Sequence, residues 1–391
     1  MTNFLDMKMK EELLDQVINF RHLLHRYPDT SNNEKDTALR IINFLKKYNP
    51  DKIINNVGGY GVIVIFKGKA TGPELLFRAD LDAVNISENN DLEYQSSKEN
   101  ISHMCGHDGH MAILSGFGAF ISDKRKFYSK ITLLFQPAEE IGMGAKNVIK
   151  DSSFSKLDPE YVFAYHNIPG YKKSKILLKK GVFAKASVGM IIKFSGKTAH
   201  AAEPEKANSP EKVLTDFIFK YKKMRKKIIQ NNKSSMITLV HLQMGDKNFG
   251  ITPGNAEIYL TIRADKDFIL KEIISKIKKL VSEIINTKKF QVKYEYKEKF
   301  LSTHNDRGVI RDLRYICKKK DFDFQKLNNS FSWSEDFGVF LNNYKGVLIG
   351  IGSGANQPNL HNPYYDFPDS IIETGINFFW EIVKYYQKKQ S

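Results

Sequence analysis

Residues 102–111 read SHMCGHDGHM, so three histidines, a cysteine and an aspartate crowd together in a chain that has only two cysteines. Three chemistries suit such side chains: metal ligation, a thiol nucleophile with an imidazole base, or a polar turn with no reaction. Cys105 and His107 stand one residue apart, and in an extended turn both side chains can approach one centre. Thiolate and imidazole are good ligands for zinc and similar divalent ions, and carboxylates or histidines from elsewhere complete such shells. A second reactive pair is Glu139–Glu140 in QPAEE, directly after the apolar run ITLLF. Neighbouring side chains past a strand end point different ways, so one carboxylate can bind a metal while the other faces a reacting water. A solvated acidic pair opening a helix fits the same residues. His166 in AYHNIPG follows a buried-type strand and precedes a turn built on Pro169 and Gly170. His361 lies in LHNPYYDFPD, a loop rich in proline and tyrosine, and alone says little.

These residues need elements to carry them. EELLDQVINFRHLLHRYPDT has helical spacing up to Pro28, and a second helix is predicted within NEKDTALRIINFLKKY. Short apolar runs of strand length follow: GVIVIF, ELLFRADLDA, KITLLFQPAEE and YVFAYHNIPG. Helical patterns such as GHMAILSGFGAFISD lie between several of them, which predicts an α/β domain with a central, mostly parallel sheet. Ligands in such sheets gather beyond the carboxyl ends of the strands. That edge would carry Asp80, Asp82, Glu139, Glu140 and His166. From about residue 187 the rhythm becomes strand, helix, strand, strand, helix, strand, the ferredoxin-like order. The α/β character returns near residue 299 with GVLIGIGSG and a closing helix. The expected organisation is a catalytic domain over 1–186 and 299–391, interrupted by an α+β lid over 187–298.

Length agrees, since single cores rarely grow beyond about 250–300 residues and this chain has 391. No stretch approaches the roughly 18 consecutive apolar residues of a membrane helix. MTNFLDMKMKEELLDQV has acidic residues early and no apolar core, unlike a signal peptide. Cys105 and Cys317 make no disulfide framework, and the expected compartment is the cytoplasm. A net charge of +16 raises nucleic acid as a partner. The lysines are scattered, however, and the densest run, KYKKMRKKIIQNNK, reads as a solvated helix face. Neither nucleic acid nor membrane is therefore expected as a partner.

Eight phrases together say more than any one: LHRYPD, RADLDA, HMCGHDGHMA, LLFQPAEE, AYHNIPG, GKTAHAAEP, SEDFG and LHNPYYDFPD, in order from residue 24 to residue 369. They resemble the metal-dependent amidohydrolases of the aminoacylase and carboxypeptidase family, the group with hippurate hydrolase, auxin–amino-acid conjugate hydrolases and N-acetyldiaminopimelate deacetylase. The resemblance implies a catalytic α/β domain with an inserted lid. It implies two divalent ions, zinc, manganese, cobalt or nickel, on Cys105, His107, Glu140, His166 and His361. Glu139 matches the family's general base, Asp80 holds an active-site position in RAD, and Asp82 is close enough to share it. His200 matches a lid histidine that contacts the reacting carbonyl oxygen, supplied in some dimeric relatives by the partner subunit. Two departures, IGMGA after the glutamates and DAVNISE without the common proline, bear on substrate preference more than on chemistry.

The implied reaction is hydrolysis of the amide bond of N-acyl amino acids or related conjugates. The ions would bring the pKa of water from 15.7 toward about 7, and Glu139 would move its proton. His200 completes the centre when the lid closes. Arg263 in LTIRAD is a candidate partner for a substrate carboxylate, with a plain surface role as the alternative. A dipeptidase or carboxypeptidase is the nearest alternative, and a catalytically idle metal-binding scaffold is the alternative of another class. The lid also offers a surface for homodimerisation.

Overall fold

The computed structural model describes residues 9–69, 72–124, 127, 129–285 and 290–389. The first eight residues, part of the stretch read for a signal peptide, lie outside the described residues, as does Asn286 at the end of an expected helix. The chain divides into two compact units. One comprises Met1–Phe183, Thr303–Asn329 and Asp336–Ser391, the other Ala184–Ser302 and Ser330–Glu335.

The first unit is built on an eight-stranded sheet. Its middle is formed by Lys130–Gln136, Glu74–Asp80, Tyr161–Pro169 and Lys345–Gly354, side by side and parallel. Lys52–Val57 and Gly61–Lys67 extend one side as an antiparallel hairpin. Ile176–Leu178 and Phe324–Lys326 extend the other, the first of them antiparallel to Lys345–Gly354. Strands covered on both faces must be apolar throughout rather than alternating, and the central four are buried almost end to end. The edge strand Lys52–Val57, KIINNV, is half exposed and carries no such signal. Helix His107–Ser122 is buried from His107 to Ile121 and packs against Glu11–Arg26, Lys35–Lys46 and Ile372–Lys389. An apolar face all round is what a helix in that position needs.

Parallel strands bring their carboxyl ends to one edge. Asp80 lies there in register with Gln136, and the turn Pro137–Glu140 follows directly. His166 sits inside its strand rather than after it, because the ladder with Lys345–Gly354 continues to Pro169. No helix among the described residues is long and apolar enough to cross a membrane.

The second unit has an antiparallel four-stranded sheet in the order Met236–Met244, Asn255–Ala264, Ala186–Ser195, Gln291–Phe300. Helices Glu211–Asn231 and Asp267–Ile285 share its apolar cluster. Asn255–Ala264 alternates buried and half-buried positions, as a sheet with one covered face requires. Ser330–Glu335 joins this unit, within the span 299–391 expected for the catalytic domain. The Lys185 N–H donates to the Trp333 carbonyl at 3.0 Å, and Ser330 Oγ donates to Asp265 Oδ1 at 2.8 Å. Backbone pairing with distant residues leaves no mark in local composition.

Candidate metal centre

Two backbone devices shape the site. Gly106, with φ of 84°, is the left-handed residue before helix His107–Ser122. A Cβ there would stand 2.6 Å from Asn167 Nδ2, so the position requires glycine both for its dihedral and for space. The turn it makes puts Cys105 and His107 on one side although His107 already belongs to the helix. Ala138 is also left-handed, with φ of 52°, which is uncommon without a glycine. Its N–H donates to Glu34 Oε1 at 2.8 Å, and its carbonyl accepts from the Gly144 N–H at 2.9 Å. Glu139 and Glu140 follow directly in that turn.

Three of the five groups of candidate ligands among the described residues lie at these turns, each with its ligand atoms within 4.8 Å of one another: Cys105, His107 and His166; Cys105, Glu140 and His361; His107, Glu139 and Glu140. Cys105 belongs to two of them, so the groups adjoin. Cys105 Sγ lies 3.8 Å from His166 Nε2, and His361 Nε2 lies 3.3 Å from Glu140 Oε1. The His361 N–H donates to the Met104 carbonyl at 2.8 Å, which ties its loop to the cysteine turn.

The second ring nitrogens decide which atoms are free to ligate. His107 Nδ1 faces the Asp82 carbonyl at 2.8 Å, and His166 Nδ1 faces the Asn167 carbonyl at 3.0 Å. A carbonyl only accepts, so each Nδ1 carries a proton and each ring turns Nε2, the atom that would ligate, to the centre. Buried His107 Nε2 has no hydrogen-bond partner among the described residues. His110 differs: Nδ1 meets Asp80 Oδ1 at 2.7 Å and Nε2 meets Asn167 Oδ1 at 2.5 Å, so both nitrogens are engaged.

Electrostatics support a cation. Burial would lower the His107 imidazole, but Asp80, Cys105 and Asp82 outweigh it and hold it well above its ordinary value. Contacts with Cys105 and Glu140 push His361 up to about 10. Burial, reinforced by His110, keeps His166 well below its ordinary value and hence neutral. The thiol and the surrounding carboxylates thus draw protons onto two imidazoles. A divalent ion would satisfy the same field and take up the lone pairs those protons occupy. The mixed N, O and S donors suit zinc and neighbouring divalent metals.

Asp82 and Asp80 stand one layer back. Asp82 Oδ2 accepts from Ser31 Oγ at 2.6 Å and from the Glu140 N–H at 3.0 Å. Burial would raise both carboxyls. Arg78, His107 and His110 outweigh it at Asp80, and His107 and Ser31 do so at Asp82, so both stay ionised. Glu34 and Asn167 support the site; Asn167 stands beside His166 in AYHNIPG, whereas nothing in its sequence surroundings marks Glu34. His200 and Arg263 belong to the second unit. His200 is exposed, and its Nδ1 accepts from the Ala202 N–H at 3.1 Å. Arg263 Nη1 donates to the Ser332 carbonyl at 3.1 Å and to Ser334 Oγ at 3.0 Å.

Known proteins share this architecture. Hippurate hydrolase of Campylobacter jejuni is 28% identical over 389 residues, covering 98% of this chain and 100% of that protein. N-acetyldiaminopimelate deacetylase of Listeria innocua is 26% identical over 369 residues, covering 94% and 99%. Among solved structures, a dinuclear metal-binding peptidase of the M20 family from Bacillus subtilis superposes with a TM-score of 0.81 at 21% identity, covering 97% of this chain and 99% of that one. The description of peptidase family M20/M25/M40 fits residues 76–385, most of the chain, and this span holds Cys105, His107, Glu139, Glu140, His166 and His361. On that match, with relatives alike from end to end, the chain belongs to peptidase family M20/M25/M40 and is a hydrolase.

Proposed function

We propose that this hydrolase cleaves the amide bond of N-acyl amino acids or related conjugates. It would use two divalent cations, zinc, manganese, cobalt or nickel, held by Cys105, His107, Glu140, His166 and His361. The observation that carries the reading is the meeting of two ligand groups at Cys105, with the Nε2 atoms of His107 and His166 already turned inward beside Glu139. The names of the relatives, a hippurate hydrolase and an N-acetyldiaminopimelate deacetylase, support the substrate class.

Cations in such a site polarise a carbonyl and lower the pKa of water toward about 7. Glu139, whose Oε1 accepts from the Asp336 N–H at 3.3 Å, takes the proton of the attacking water and delivers it to the departing nitrogen. The Ala202 N–H occupies His200 Nδ1, which leaves the Nε2 N–H to donate a hydrogen bond to the carbonyl oxygen as charge develops there. Asp82 holds the His107 ring through its carbonyl and the Glu140 backbone through its carboxylate. Asp80, between Arg78 and His110, fixes the charge behind the centre. Arg263 pairs with the substrate carboxylate.

The partners in this reading are small molecules, with neither nucleic acid nor membrane involved, in the cytoplasm, where two free buried cysteines are at home. A homodimer through the second unit fits as well, because its edge strand exposes Met236, Val240 and Met244. Light scattering that gives only monomer would remove that part.

The test is a panel of N-acetyl amino acids, N-benzoyl amino acids and dipeptides, assayed with metal-stripped and metal-restored protein. Metal-dependent release of amino acid from the N-acyl compounds is expected. A preference for dipeptides would move the reading to a dipeptidase or carboxypeptidase. Metal uptake without hydrolysis of any compound would leave a binding scaffold.

A further inference from the structure

The phrase RHLLHRYPD contributes no ligand, yet it holds a fully buried arginine. Arg21 on helix Glu11–Arg26 reaches three carboxylates. Its Nη1 donates to Asp108 Oδ2 at 3.1 Å and to Asp366 Oδ1 at 2.9 Å, and its Nε lies 2.6 Å from Asp369 Oδ1. Asp108 immediately follows His107. Asp366 and Asp369 close the loop that begins with His361. Tyr94 braces the set, with its ring 4.6 Å from the guanidinium and its hydroxyl donating to Asp366 Oδ2 at 2.9 Å.

We infer that Arg21 is a positioning residue for the metal centre, a clasp that sets His107 and His361 at their mutual spacing. The inference rests on the metal-centre reading above. Two segments some 250 residues apart each place a carboxylate on one guanidinium, and each carries a candidate ligand a few residues away. Buried ion pairs add little net stability, since desolvation offsets attraction, and apolar side chains of similar volume often serve stability as well. Geometry is what the arrangement adds. The rigid, planar guanidinium fixes where Nη1, shared by Asp108 and Asp366, stands, which a flexible lysine ammonium would not. The backbone bond from His361 to Met104 holds one end of the loop, and Arg21 holds the other.

The test uses full-length protein, stripped of metal and titrated with zinc against a chromophoric chelator, well below the melting temperature. Cobalt-loaded samples report ligand geometry through their visible bands. The variants are Arg21→Met, Arg21→Lys and Asp369→Asn, the last altering a partly exposed partner in case the buried variants do not fold. Arg21→Met and Asp369→Asn should weaken affinity by about 10–100-fold, as loss of groups supporting ligands does, and change the cobalt bands. Arg21→Lys should recover much of the melting temperature and little of the affinity. If the variants that fold keep zinc affinity within twofold of wild type and unchanged cobalt bands, with only melting lowered, Arg21 is structural and the inference is overturned. A wild type that takes up no metal would instead remove the centre itself, and the inference with it.

Discussion

Glu139 and Glu140 are adjacent in sequence, but their surroundings give them different work. Glu140 Oε1 stands among Cys105, His107 and His361, whereas Glu139 Oε1 meets the Asp336 backbone. Glu139→Gln keeps the shape and loses the base. It should leave metal content, read by atomic emission, at the wild-type level while turnover falls by about 10²–10⁴-fold, the usual contribution of general base catalysis. Glu140→Ala should lower metal content and turnover together. Normal turnover in Glu139→Gln would remove the proposed base. The ring protons of His107 and His166 follow the same logic, since a carbonyl on each Nδ1 selects the tautomer before any metal arrives.

Helix His107–Ser122 carries a ligand at its first position, so its packing and the site are one problem. Gly109 lies against the Phe367 ring, where an added Cβ would come within 2.3 Å of ring carbons. Phe367 is fully buried and sits between Asp366 and Asp369 on the His361 loop, with little room to withdraw. Gly109→Ala should therefore destabilise by about 1–3 kcal/mol or more through overpacking. It should also loosen metal binding by separating the helix from the loop. Thermal melting and chelator competition on one sample check both effects, and an unchanged melting temperature would show that the contact is soft.

At the scale of the molecule, stability depends on pH through a buried histidine outside the ligand set. Burial would lower His25, but bonds to Asp108 at 2.9 Å and Glu88 at 3.1 Å outweigh it and push its pKa up to about 9. The ordinary value is 6.5, so the folded chain holds this proton more tightly than the unfolded chain does. The stabilisation is complete below pH 6.5 and drains away as pH rises toward 9. At about 1.36 kcal/mol per unit it amounts to about 3 kcal/mol. Melting temperatures of wild type and His25→Gln, measured without metal, should differ most near pH 6 and converge by about pH 9.5. A constant gap across that range would refute the linkage.

Much is legible in the sequence alone, and the reason is locality. Apolar period and run length mark helices such as Glu11–Arg26 and strands such as Glu74–Asp80, because each element must bury a face or be buried on both. The reactive phrases were legible for the same reason: SHMCGHDGHM and QPAEE put their donors within a few residues of one another. Edge strand Lys52–Val57 was not, because a half-exposed edge needs no apolar pattern. Nor was the membership of Ser330–Glu335 in the second unit, which long-range backbone pairing decides.

The order of motifs thus determined the class of fold and the set of candidate donors. The tertiary structure alone decided which nitrogen of each histidine faces the centre. It also decided that His166 lies within its strand, and that Glu34, Asn167 and Arg21 hold the turns in place. Patterning is an average over neighbours along the chain and survives many substitutions. Direction and distance between side chains far apart in sequence exist only once the chain has packed, and no local signal encodes them.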